Sequence, residues 1–159
     1  MRAFRILIYI ILHIAPLLRY PRSMNFAQKI LGIEFSNPTV LASGILGITA
    51  SSWRAVARAG AGAITTKSLW LKEHQGHRNP TIISLPHYTL NAVGVPDAGI
   101  EKAREEINDY LKDKPTPLIA NIIAESIENY ALTAEPICAL HPDFLEVNIL
   151  RYQSAVHLP

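Results

Sequence analysis

A chain of 159 residues, 49% of them hydrophobic and 18% charged, can bury one sizeable core, which excludes a disordered protein and predicts one domain or part of one. The formal net charge of +2, without a run of Lys and Arg, argues against a nucleic-acid partner. The single cysteine, Cys138, excludes an internal disulfide and is compatible with the cytoplasm. Its apolar neighbours predict a buried, inert thiol.

Residues 1–23 differ in composition from the rest of the chain. Basic residues flank an apolar stretch, Ile6 to Leu18, which is shorter than the roughly 20 residues of a spanning helix. This composition is typical of a signal peptide or of an interfacial anchor that associates with a membrane. The alternative is that the protein starts at Met24 and that the leader is upstream sequence. If the leader is translated, we expect a helix over residues 1–18 that packs poorly on the domain.

From residue 39 onward, strand and helix signals alternate. Strands are predicted at residues 39–42, 63–66, 117–122 and 144–149, helices at 51–59, from 100 to about 111 and from 126 to before Pro136, and a hairpin or extended loop at 81–90. Ser51 or Ser52 is expected to cap the first helix, and Asp97 is available to cap the second. Ile100, Ala103, Ile107 and Leu111 share the apolar face of that second helix.

Alternating strands and helices with apolar strands predict an α/β protein with a parallel sheet covered by helices. An open doubly wound sheet and a closed eight-stranded barrel both fit this pattern. The chain lacks the Gly-x-Gly-x-x-Gly turn of the dinucleotide-binding fold. Polar residues follow the apolar strands at Ser43, Lys67, Asn121 and Asn148, which favours a barrel, because barrel sites gather at the carboxyl ends of the strands.

Five short motifs occur together in a characteristic order. They are Asn-Pro-Thr-Val-Leu-Ala-Ser-Gly at 37–44, Thr-Lys-Ser at 66–68, Leu-Asn-Ala-Val-Gly-Val-Pro at 90–96, Ile-Ala-Asn at 119–121 and Glu-Val-Asn-Ile at 146–149. As a set they resemble the N-terminal half of a dihydroorotate dehydrogenase of class 1, with the NAD-linked subtype favoured. The resemblance implies a TIM (β/α)8 barrel, of which residues 24–149 would form about the first four β/α units, a half-barrel fragment, followed by a non-family tail at 150–159.

The resemblance also implies chemistry, namely FMN-dependent oxidation of dihydroorotate to orotate in de novo pyrimidine (UMP) biosynthesis. It assigns contacts with FMN to Ala42, Ser43, Gly44, Lys67, Ser68, Asn121 and Asn148. It assigns contacts with the substrate to Lys67, Asn91, Ala92, Val93, Gly94, Val95 and Asn148. An electron-transfer subunit would be the partner of an NAD-linked form, and a homo-oligomer is a further expectation.

The chain departs from the family pattern after Ile149. The family continues there with Ser-Cys-Pro-Asn, whose cysteine is the catalytic base, whereas this chain reads Leu150-Arg151. No catalytic residue is therefore assigned, and Cys138 lies too early to replace the base. The alternative function is a truncated or frameshifted, non-catalytic fragment of the enzyme. We expect the chain as written neither to oxidise dihydroorotate nor to retain FMN.

The remaining polar and aromatic features are interpreted as structural. His74 and His77 have metal-ligand spacing, but no further ligands complete a set, so a solvated, mobile loop is expected and no metal is assigned. The charges between Glu101 and Lys114 are expected to form an exposed helix face. Trp53 and Trp70 are predicted to be packing residues.

Overall fold

The computed structural model describes residues 25–149. The strands are β1 (Gln28–Ile30), β2 (Ile33–Phe35), β3 (Val40–Leu41), β4 (Ala63–Thr65), β5 (Ile82–Ser84), β6 (Thr89–Asn91), β7 (Leu118–Ile123) and β8 (Phe144–Asn148), and the helices are α1 (Ala50–Arg58), α2 (Ile100–Leu111) and α3 (Ile127–Cys138). The predicted leader at 1–23, with its predicted helix, and the predicted tail at 150–159 lie outside the described residues.

The main sheet is parallel, with the strand order β3-β4-β7-β8. Each strand of this sheet pairs with the sheet strand that comes before it in the chain. Helix α1 lies between β3 and β4, α2 between β4 and β7, and α3 between β7 and β8. The pairing of β7 with β8 is the longest, running from Ile119 opposite Phe144 to Ile123 opposite Asn148. The predicted α/β class with a parallel sheet is confirmed.

One face of the sheet packs against the helices and forms the core. Alternation places Ile64, Leu118, Ala120 and Ile122 on this face, and all four are buried. Trp53 of α1 is also buried and meets the ring of Tyr110 edge to face, with 5.6 Å between the ring centroids. The predicted packing role of Trp53 is confirmed, as is that of Trp70, which is 3% exposed.

Helix α1 begins differently from the prediction. Its N-cap is Thr49, and neither Ser51 nor Ser52 takes that position. The Thr49 hydroxyl accepts a hydrogen bond from the Ser52 N–H at 3.3 Å, and the Ser52 hydroxyl accepts one from the Thr49 N–H. This reciprocal pair is a capping box. Glu106 of α2 accepts from the Ala50 N–H at 2.8 Å, so this residue of the predicted exposed face instead supports the positive end of α1.

Helix α2 is confirmed, but Asp97 does not occupy its cap position. The N-cap is Gly99, at φ +86°, and an added Cβ there would lie 2.7 Å from the Glu73 nitrogen. The Asp97 carboxylate accepts from the Gly99 N–H at 3.0 Å and from the Trp70 N–H at 3.2 Å. Asp97 thereby ties the start of α2 to the segment that follows β4.

Helix α3 runs through Pro136, where the sequence predicted its end. Its predicted start is confirmed, because the Ser126 hydroxyl caps it by accepting from the Asn129 N–H at 3.2 Å. The proline leaves the carbonyl of Leu132 without its helical donor, and this side of the helix faces solvent, where water can bond the carbonyl. The same geometry corrects the prediction for Cys138, which is exposed because Ile137 takes the buried face of the last turn.

Two antiparallel hairpins accompany the main sheet. The predicted hairpin is confirmed as β5 paired with β6, with Ile83 opposite Leu90. The other, β1 with β2, was not predicted, and it brings the buried ring of Phe35 to 5.9 Å from that of Phe144. Across residues 25–149, no helix has both the length and the apolar character needed to cross a bilayer.

Candidate functional site at the carboxyl ends of the strands

The four predicted strand-end residues lie towards the same end of the parallel sheet. Ser43 and Lys67 each come two residues after their strands, and Asn148 is the last residue of β8. Asn121, the first polar residue of the strand predicted at 117–122, is the fourth of the six residues of β7. The strand continues because Leu69, beyond the end of β4, bridges to Ile122 and prolongs the pairing. Lys67 is thereby held level with the middle of β7.

Lys67 is anchored through its main chain. Its N–H donates to the carbonyl of Gly47 at 2.6 Å. A Cβ on Gly47 would lie 2.6 Å from the Lys67 nitrogen, so this close approach requires glycine. Gly44, to which the family resemblance assigns a contact with FMN, makes no such close approach to the protein, because an added Cβ there would meet nothing within 4 Å.

Ser43 and Ser68 are brought together as neighbours of Lys67. Their hydroxyl oxygens lie 3.2 Å apart and share a hydrogen bond, although 25 residues separate them in the sequence. Ser68 is buried, whereas Ser43 is half-buried and Ala42 is exposed. The loops after β3 and β4 therefore form one polar corner beside Lys67.

Thr66 connects Lys67 to Asn121 and was not identified from the sequence. Its buried hydroxyl accepts from the Asn121 N–H at 2.9 Å and donates to the Lys67 carbonyl at 3.0 Å. The Asn121 carbonyl in turn accepts from the Leu69 N–H at 2.9 Å. The available signal was a threonine directly after a buried strand, where a hydroxyl can serve two main-chain partners.

Asn121 pairs with Glu146, a second residue that the sequence did not single out. The two lie directly opposite each other in β7 and β8, and the Asn121 Nδ2 donates to the Glu146 Oε1. Asn121 is 1% exposed, and its Oδ1 has no hydrogen-bond partner among the described residues. A buried amide oxygen without a donor is costly, so this atom is suited to a donor from a ligand.

Register places Asn148 on the same face of the sheet as this pair. Asn148 lies opposite Ile123, and strand alternation puts it with Glu146 and Asn121, on the face opposite the helices. Its side chain is half-buried, and its carbonyl accepts from the Tyr130 hydroxyl of α3. The last residue of β8 is therefore fixed from behind by the helix layer.

The predicted substrate segment, Asn91 to Val95, is held by other loops. The Ala92 N–H donates to the Thr81 carbonyl at 2.8 Å, so this amide is not a free donor for a carboxylate. The His77 N–H donates to the Val93 carbonyl at 3.1 Å. Gly94 has φ +78°, and an added Cβ would lie 2.9 Å from the His77 nitrogen.

Trp70 connects that segment to the end of β4. Trp70 lies three residues beyond Lys67, and its ring Nε1 donates to the Val95 carbonyl at 3.0 Å. His74 stacks on the same ring, with 4.3 Å between centroids, and its main chain exchanges two 2.9 Å hydrogen bonds with Asp97. The predicted solvated loop is therefore wrong at His74. Within the described part of the chain, no three His, Cys, Asp or Glu side chains are grouped to hold a metal ion.

A cavity of about 550 Å³ lies beside this end of the sheet, between the first turns of α1 and α2. Trp53, Lys67, Asp97, Lys102 and Glu106 contribute to its lining. Asn121, Glu146 and Asn148 do not line it. It is thus separate from the sheet face that carries the buried asparagine.

The sequence model described as "Dihydroorotate dehydrogenase" matches residues 25–150. The chain belongs to the dihydroorotate dehydrogenase family. The family has a TIM-barrel fold, in agreement with the parallel sheet of residues 25–149 and with the polar residues at its carboxyl end.

Three archaeal relatives are each named as the catalytic subunit of dihydroorotate dehydrogenase B (NAD(+)). The chain is 42% identical to the protein of Methanocaldococcus jannaschii over 124 residues, 40% identical to that of Methanothermobacter thermautotrophicus over 121 residues and 38% identical to that of Methanosarcina acetivorans over 122 residues. Each match covers 76% of this chain and 40%, 39% and 39% of the respective relative. The chain thus spans about two fifths of the length of these relatives, and their names agree with the predicted NAD-linked subtype.

Proposed function

We propose that this chain provides the N-terminal part of an FMN-dependent dihydroorotate dehydrogenase, which oxidises dihydroorotate to orotate in de novo pyrimidine biosynthesis. The observation that carries the proposal is the buried Asn121 Oδ1, which lacks a donor among the described residues and lies level with Lys67 in a chain of this family. A structural asparagine would have its oxygen bonded within the fold. A buried oxygen without a protein donor can accept a hydrogen bond from a ligand.

The residues at the site suit a flavin ring. The ring carries an imide N–H, which can donate a hydrogen bond to the Asn121 Oδ1. It also carries carbonyl oxygens, which can accept hydrogen bonds from Lys67 and from the hydroxyls of Ser43 and Ser68. Ala42 and Gly44 would lie against the ring, and Asn148 would reach it from β8. Gly44 has open space around its Cα, which leaves room for a planar group.

The reaction removes a hydride and a proton from neighbouring carbons of the substrate ring, and bound FMN supplies the hydride acceptor. Lys67 would hold a fixed positive charge beside the substrate carboxylate and favour the more electron-rich reduced ring. Asn91 and Asn148 would bind the pyrimidine edge, and Val93 to Val95 would approach the carboxylate. Cys138, exposed on the helix layer, is unsuited as the base, which another part of the protein would supply.

In this proposal, residues 24–149 correspond to about the first four β/α units of the barrel, preceded by a leader at 1–23. The electron-transfer subunit implied by the relatives' names would be a partner, self-association is a further expectation, and the site of action would be the cytoplasm. The competing proposal is a non-catalytic fragment. Such a fragment would have the same fold and the same unpaired Asn121 Oδ1, but it would not turn over dihydroorotate.

Reconstitution tests the two proposals against each other. The chain is co-expressed with the C-terminal part of the Methanocaldococcus jannaschii relative, purified with added FMN and exposed to dihydroorotate without oxygen. We expect flavin to stay bound through gel filtration and its absorption band at about 450 nm to bleach on addition of substrate. Lys67→Ala should slow the bleaching, whereas Lys112→Ala, an exposed lysine after α2, should not. A stable complex that binds FMN and never bleaches would favour the non-catalytic fragment.

A further inference from the structure

The contact between Asn121 and Glu146 determines which atom of the asparagine faces a ligand. A carboxylate can only accept hydrogen bonds, so the amide nitrogen of Asn121 must be the atom that faces Glu146. The amide oxygen then points away from β8. This assignment follows from the chemistry of the pair and does not depend on how the two amide atoms are distinguished.

The main chain of Asn121 is fixed independently of Glu146. Its N–H donates to the Thr66 hydroxyl at 2.9 Å, and its carbonyl accepts from the Leu69 N–H at 2.9 Å. Rotation of the side-chain amide is therefore the freedom that remains to this residue. A half-turn of the amide would exchange the acceptor presented to the ligand for a donor.

We propose that Glu146 is a positioning residue, which holds the Asn121 amide so that the site presents an acceptor to a ring N–H flanked by two carbonyls. Both the flavin ring and the pyrimidine ring of orotate contain such an imide. The identity of the ligand rests on the proposed function, whereas the orientation of the amide rests on the pairing alone. The role is consistent with the position of Glu146, whose carboxylate reaches across the strand pair to a buried partner.

The orientation is measured on the free chain. Asparagine-selective nitrogen-15 labelling gives one pair of side-chain amide protons for Asn121. We expect two well-separated protons with slow solvent exchange in the parent chain. In Glu146→Ala these signals should move together and exchange at least about 10-fold faster, because the charge-assisted hydrogen bond is lost. Glu146→Gln, which keeps an acceptor oxygen, should give intermediate values. Glu34→Ala, an exposed strand glutamate, is the matched control.

The ligand is measured by titrating the same samples with lumiflavin, 3-methyl-lumiflavin and orotate in separate series. We expect lumiflavin to shift the Asn121 signals and 3-methyl-lumiflavin, which lacks the imide N–H, to bind about 10-fold more weakly. Glu146→Ala should weaken the binding of lumiflavin to a similar extent, so that the two flavins bind with the same affinity. A loss of discrimination is not expected from destabilisation alone. A shift with orotate and not with lumiflavin would assign the imide to the substrate.

The possible failures are separable. Asn121 signals that are identical in the parent chain and in Glu146→Ala would overturn the positioning role. Retained discrimination between the flavins in Glu146→Ala would do the same and leave the proposed function intact. An Asn121 that responds to neither flavin nor orotate would instead overturn the proposed site itself.

Discussion

The main-chain N–H of Lys67 donates to the carbonyl of Gly47 at 2.6 Å, joining the short helical turn after β3 to the end of β4. This contact sets the distance between the two loops that carry Ser43 and Ser68. It exists because residue 47 has no side chain. The position of the lysine thus depends on a glycine twenty residues earlier.

Gly47→Ala is therefore expected to destabilise the chain. The new Cβ would lie 2.6 Å from the Lys67 nitrogen and 2.9 Å from the Thr65 carbonyl oxygen, both of them main-chain atoms. Overpacking of this kind costs about 1–3 kcal/mol, measurable as a lower midpoint in urea unfolding. Gly44→Ala is the matched control, since its backbone is extended and the added carbon would meet nothing within 4 Å. An equal loss of unfolding free energy in the two variants would contradict the close approach of Gly47 to the main chain of Lys67.

Thr66→Val should loosen the connection between Lys67 and Asn121. Valine has nearly the same shape but cannot accept from the Asn121 N–H or donate to the Lys67 carbonyl. Leaving such buried groups unpaired costs about 1–3 kcal/mol. We expect faster hydrogen exchange at the Asn121 main-chain amide together with the loss of stability. Thr66→Ser keeps the hydroxyl and should protect that amide far better than valine does.

Stability should depend on acid through the ion pairs that join α1 to α2. Arg54 bonds Asp109 at 2.7 Å and Asp113 at 2.8 Å, and this lowers the pKa of both carboxyl groups. A lowered pKa in the folded state contributes stability above the ordinary aspartate pKa, about 3.9, and the contribution is lost as pH falls through the lowered values.

Arg54→Gln tests this dependence by thermal unfolding between about pH 7 and pH 3. We expect the parent chain to be more stable near neutral pH and the difference between the two proteins to shrink below the ordinary aspartate pKa. Added salt should reduce the difference at neutral pH, because all three groups are accessible to solvent. A gap that stays constant down to the acid limit would assign the effect to lost packing of the arginine stem.

Cys138 should react in the folded chain. Its thiol is exposed at the end of α3, so a disulfide reagent such as Ellman's should modify it completely without denaturant. Cys138→Ser should abolish the reaction and change the free energy of unfolding by less than about 0.5 kcal/mol, as for other surface substitutions. A thiol that reacts only after unfolding would restore the buried position expected from the sequence.

The elements with strong local signals were predictable. The apolar strands at β4, β7 and β8, and the face shared by Ile100, Ala103 and Ile107, follow from periodicity, and these residues of α2 are buried. The turn residues around Pro86 correctly indicated a hairpin. Periodicity could not predict the N-cap of α1, because Thr49, Ser51 and Ser52 are all good caps and a remote carboxylate, Glu106, reaches the first turn.

The site was predictable in its strand ends but not in its pairings. Lys67 and Asn148 follow or end their strands as expected, since the end of an apolar run is a local property. The pairing of Asn121 with Glu146 depends on the register between β7 and β8, and a shift of one residue would send Glu146 to the other face. Register is determined by the packed sheet. Thr66 was missed for the same reason, because its hydroxyl reaches the Asn121 N–H only when β4 and β7 align.

The strand order of the main sheet also has a consequence for synthesis. Because β4 pairs with β3, β7 with β4 and β8 with β7, each of these three later strands finds its partner already made when it leaves the ribosome. Each new strand covers the edge of the strand added before it, which limits the time during which that apolar edge is open to other nascent chains. The buried asparagine and its glutamate come together at the last of these additions, so the polar pair of the site is completed only when β8 joins the sheet.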